Sequence, residues 1–73
     1  MKLIVGNNVY EMTAEQLKAV LHVASKQVPF GIYALKKDGI CELCKNHFDT
    51  KLKLQQAVKE YAENGFKVYY NSK

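Results

Sequence analysis

Four side chains in this sequence could in principle hold a metal. Cys41, Cys44 and His47 stand at a Cys-x-x-Cys-x-x-His spacing, and His22 lies earlier in the chain. Two thiolates and two imidazoles would suit tetrahedral zinc. Their local context argues against it. The stretch from Phe30 to Asn46 reads as a β-hairpin, and side chains three apart on a strand point to opposite faces. Chelation would need a knuckle turn at Glu42-Leu43, a pair with neither glycine nor proline. A thioredoxin-like redox role would need the first cysteine at a helix N-terminus, where its pKa falls. Cys41 is instead expected mid-strand as a small core hydrophobe. No cofactor is expected, and the zinc set remains an alternative.

Other catalytic constellations are missing from the pattern. The carboxylates Glu11, Glu15, Asp38, Glu42, Asp49, Glu60 and Glu63 are scattered, and the only serines are Ser25 and Ser72. There is no glycine-rich phosphate loop and no nucleophile elbow. The expectation is a protein that is not an enzyme.

Binding chemistry is the remaining class. The net charge is +4 and all eleven basic residues are lysine. Lysine supplies a hydrated point charge without arginine's planar fork, so nucleic acid would be held weakly, through phosphates. Lys36, Lys37, Lys45 and Lys67 are the candidates for that alternative. The lysines are spread along the chain, as on an ordinary solvated surface. Of the five tyrosines, spacing puts Tyr10, Tyr33, Tyr61 and Tyr70 on core faces. Only Tyr69 is expected outside, beside Lys67, as a stacking platform would require.

The elements that position these groups follow from local signals. Lys2 to Met12 alternates around Gly6-Asn7-Asn8, a hairpin signal. A turn at Gly6-Asn7 sets Lys2 opposite Glu11, with Leu3 and Tyr10 on one face and Ile4 and Val9 on the other. Thr13 and Gln16 form a capping box, and Met12 with Leu17 a hydrophobic staple. The helix runs to about residue 26 with a Leu17, Val20, Leu21, Ala24 stripe, and His22 points away from it. Val28-Pro29 ends it. Phe30 to Leu35 is a strand, and Asp38-Gly39 marks a turn. A three-residue loop, Lys37-Asp38-Gly39, sets Lys36 opposite Ile40 and gathers Tyr33, Leu35, Cys41 and Leu43 on the core face. A two-residue loop shifts that pairing by one and mixes the faces. Asp49 or Thr50 caps a second helix to about residue 63, with a Leu54, Ala57, Val58, Tyr61 stripe and Leu52 pointing away. Asn64-Gly65 is a C-cap signal, followed by apolar Phe66. Residues 66 to 70 form a last strand.

The order is ββαββαβ: two hairpins, two helices and a C-terminal strand, with the helices packed on a mostly antiparallel sheet. This is one α+β domain over residues 1–73. A chain this short has a thin core. No apolar run is long enough to span a membrane and no signal peptide is evident, so a cytoplasmic location is expected.

The segments Gly31-Ile32-Tyr33-Ala34-Leu35 and Gly65-Phe66-Lys67-Val68-Tyr69-Tyr70, with the arginine-free, lysine-rich composition, carry a resemblance. The chain resembles small uncharacterised proteins of phages and prophages of Gram-positive bacteria. The resemblance implies an accessory protein in the bacterial host cytoplasm and assigns no functional residues. If both helices cover one sheet face, the other carries Ile4, Val9, Ile32, Ile40 and Tyr69 and is too apolar for plain solvent surface. The alternative is that one helix crosses over and covers part of it. The leading expectation is a small interaction protein, a homodimer or a binder of a host protein, using that face and a free strand edge.

Overall fold

The computed structural model describes residues 1–72. Its elements are β1 (Lys2–Val5), β2 (Asn8–Glu11), α1 (Ala14–Gln27), β3 (Phe30–Lys37), β4 (Ile40–His47), α2 (Lys51–Glu63) and β5 (Lys67–Ser72). The five strands form one sheet in the order β2-β1-β4-β3-β5. Only β1 and β4 run parallel; the other neighbours are antiparallel. The fold is α+β with the ββαββαβ order that the local signals predict.

The helix ends follow from their residues. Thr13 Oγ1 accepts from the Gln16 N–H and the Gln16 side chain accepts from the Thr13 N–H, a closed capping box. Thr50, rather than Asp49, caps α2 by accepting from the Lys53 N–H. At the other end of α2, the Phe66 N–H donates to the Tyr61 carbonyl and the Gly65 N–H to that of Ala62. This is a Schellman closure. Gly65 takes the left-handed φ of 87° that it requires, and Phe66 meets Tyr61 edge-on at 5.7 Å. The last turn of α1 is closed from outside. Asn71 Nδ2 donates to the carbonyls of Ser25 and Val28, tying β5 to that helix.

The first hairpin has the expected register, Lys2 opposite Glu11 and Leu3 opposite Tyr10. Glu11 takes its ion pair from the Met1 amino group, at 3.1 Å, instead of from Lys2. The second hairpin differs from expectation. Its loop has two residues, Asp38 and Gly39, and Lys37, not Lys36, lies opposite Ile40. Both loop residues have positive φ, 54° and 77°. That is the requirement of a type I′ turn, whose twist matches that of the flanking strands. Twist here prevails over a tidy separation of apolar and polar faces.

The faces are mixed because both are covered. One side carries Leu3, Ala34 and Cys41, which pack with Leu17 of α1; Tyr33, Leu43 and Tyr69 lean on the same cluster. The opposite side carries Leu35 and its partner Val68, and Leu35 shares a groove with Tyr61 of α2 and with Phe66. The helices therefore lie on opposite faces, and α2 packs on β5 and β3. A strand covered on both sides loses the alternation from which burial is read.

An irregularity at Tyr33 completes the difference. The two steps from Ile32 to Ala34 match one step on β5, Tyr70 to Tyr69, and three on β4, Asn46 to Leu43. Such a bulge lets neighbouring residues share a face. Tyr33 and Ala34 both reach the α1 cluster, and Ile32 is turned away from it and fully buried.

Candidate functional site

Pairing across the sheet places the side chains of the α2 face in two rows. One row runs Val9, Ile4, Glu42, Leu35; the next runs Glu11, Lys2, Ile40, Lys37. Helix α2 lies over the β3–β5 side, and the half built from β2, β1 and the start of β4 is open. Val9 is 63% exposed and Ile40 41%, and Ile4 and Leu35 are half-buried. Ile4, Leu35 and Ile40 join Tyr61 and Phe66 in a groove of about 450 Å³ at the border with α2.

Lys37 closes one end of this groove. Its Nζ donates to the Asn64 carbonyl at 2.9 Å and lies 5.0 Å from the centre of the Phe66 ring. A lysine held by both a helix C-terminal carbonyl and an aromatic face acts as a strut between the hairpin and α2.

The residues expected on an outer apolar face divide into two groups. Ile4, Val9 and Ile40 do share one sheet face. Ile32 also turns away from the α1 cluster, but it is fully buried on the side that α2 covers and so lies outside the open half. Tyr69 belongs to the opposite face, opposite Ala34, half-buried against the α1 cluster. Tyr70, expected in the core, is 44% exposed, and Tyr10 on edge strand β2 is 48% exposed. Leu35, Tyr61 and Phe66 enter the open groove without having been assigned to it by spacing. Their sequence signals, a strand alternation and a helix stripe, mark them as apolar but do not say on which side of the sheet α2 lies.

The four lysines of the nucleic-acid alternative separate as well. Lys36 and Lys67 are direct cross-strand partners on the α1 face. Lys37 faces the other way, and exposed Lys45 lies in the part of β4 skipped by the ladder to β3.

The zinc alternative is not assembled: no group of three or more metal-ligating side chains comes together among the described residues. Cys41 is buried beneath α1. Cys44 lies three residues along the same strand, a Cα separation of about 10 Å, and its thiol donates to the Ile32 carbonyl at 3.5 Å. His47 ends β4 on a different groove, facing α2, and His22 lies on α1. Burial pushes both thiols above their ordinary pKa. For Cys41 the Lys36 ammonium partly offsets that rise; for Cys44 the charges of Glu42 and Cys41 add to it. Both are poor nucleophiles at neutral pH.

No described helix is long and apolar enough to cross a membrane. Comparison of the chain with family profiles, curated proteins and solved structures gave no match.

Proposed function

We propose that the chain is a non-enzymatic interaction protein that pairs with a second copy of itself through the open half of the α2-side sheet face. The observation behind this reading is the open group of Val9, Ile4 and Ile40, with Glu42 among them and half-buried Leu35 at the border with α2. A contiguous apolar patch rimmed by polar side chains is the usual signature of a protein contact.

Charge favours a second copy as the occupant. The chain carries +4 overall, yet the two rows hold Glu11 and Glu42 against Lys2 and Lys37. A balanced patch lets two equally charged chains meet without net repulsion there, and opposite signs within one patch suit a two-fold contact. The same carboxylates oppose nucleic-acid phosphates on this face. An accessory role in a bacterial cytoplasm, as the resemblance implies, is part of the proposal. Light scattering on the purified protein tests it: the expected mass is twice that of the chain. A different protein as occupant would leave the pure chain monomeric.

A further inference from the structure

The α1 side of the sheet carries a second feature, independent of the self-association surface. A shallow pocket of about 410 Å³ opens between α1 and the strands β3 and β5. Leu17, Leu21, Tyr33 and Tyr69 form its apolar part, and Lys18 and Lys36 stand among its lining residues. Three observations there need a common explanation.

The first is a like-charge pairing in the strand register, with Lys67 at the edge of the pocket rather than in its lining. Lys36 and Lys67 are directly opposite each other on neighbouring strands, an arrangement that destabilises a sheet. The second is the lack of a counter-charge. No carboxylate lines the pocket, and the ion pairs among the described residues are elsewhere, at Met1–Glu11 and Lys53–Asp49. The third is an aromatic base. The Tyr33 and Tyr69 rings lie 6.2 Å apart at 47°, both half-buried, with the Lys67 ammonium 5.3 Å from the Tyr69 ring centre. Three lysines, Lys18, Lys36 and Lys67, thus stand beside two tyrosines on the face away from the balanced patch.

We propose that this pocket binds a nucleotide unit. Its phosphate sits between the Lys36 and Lys67 ammonium groups and relieves their repulsion. Its base lies against the tyrosine pair, an arrangement indifferent to base identity because every base has a π-face. Lysine suits the phosphate as a point charge. A free mononucleotide and a nucleotide within a single strand share this chemistry.

The test is an amide-shift titration at low salt with adenosine 5′-monophosphate and, separately, with a short oligodeoxythymidylate. Saturable shifts at Tyr33, Lys36, Lys67 and Tyr69 are expected with at least one of them. Tighter binding of the monophosphate identifies a free nucleotide as the ligand; tighter binding of the oligomer identifies a single strand. Lys67→Glu should weaken binding by about tenfold or more while raising the melting temperature, because it replaces a like-charge pair with an opposite one. Unfolding therefore cannot account for the loss. Lys59→Glu, the same charge change on exposed α2, should leave affinity nearly unaltered. No saturable shift with either probe, or equal losses in Lys67→Glu and Lys59→Glu, would overturn the proposal.

Discussion

Single residues settle several questions that patterns leave open. Gly31 has a φ of 149°, and a Cβ there would fall 2.1 Å from the Asn46 backbone oxygen. The neighbour is main chain in the adjacent strand and cannot turn aside. Gly31→Ala should therefore cost about 3 kcal/mol through strain and overpacking, read as a lower urea midpoint at unchanged slope. The two cysteines lead to a pH prediction. Their folded pKa values are raised by burial, so the folded chain keeps thiol protons that the unfolded chain releases. Stability should be level through neutrality and fall once pH passes about 8.5, where free thiols ionise. Tyr33, also raised by burial, extends the decline further into alkali. Denaturation midpoints across that range check the sign; a rise with pH would contradict it. The cysteines also show the limit of spacing. Alternation sets Cys41 and Cys44 on opposite faces, but the irregularity across Cys44 and Lys45 brings Cys44 to the α1 side as well, in a groove with Ala24 and Val28.

At the scale of elements, what is local in the chain was legible and what depends on a neighbour was not. Thr13 with Gln16, Thr50, and Gly65 with Phe66 mark both helices because each signal is satisfied within a few residues. The same holds for the first hairpin, where Gly6 has φ 61° and Lys2 meets Glu11. The second hairpin departs from the register that a clean apolar face would favour. With α1 below and α2 above, β3 is apolar on both sides, and the positive φ of Asp38 and Gly39 decides the pairing instead. The Tyr33 bulge has no local signal at all; it reflects pairing with β4 and β5 together. Helix stripes, by contrast, survive. Leu54 of α2 is fully buried and Leu52 is 64% exposed, as their angular separation predicts. Leu54→Ala should destabilise the protein by about 2–5 kcal/mol and Leu52→Ala by no more than about 0.5 kcal/mol, measured in parallel chemical denaturations. Similar losses would mean that α2 is rotated from this placement.

For the molecule as a whole, the two helices divide the surface by chemistry. The α1 side gathers Lys18, Lys36 and Lys67 around a tyrosine pair. The α2 side leaves half a sheet face open, apolar and balanced in charge. Ile4 and Val9 can be grouped on that face from the sequence because hairpin alternation puts them together, whereas Ile40 reaches it through a register with Lys37, not Lys36, opposite. Ile32 and Tyr69 could not be excluded from it, since that needs the bulge and the side on which α2 lies. The proposed meeting place of two copies is this open half-face. The most direct measurement is the solution mass by light scattering, over a range of concentrations, of the wild-type chain, Ile40→Lys and Val23→Lys. Val23 is a well-exposed valine on α1, so it controls for adding a lysine to an apolar surface position elsewhere. Twice the chain mass is expected for wild type and Val23→Lys, and the single-chain mass for Ile40→Lys. A wild-type protein that stays at the single-chain mass at every concentration, or an Ile40→Lys variant that still pairs, would contradict it.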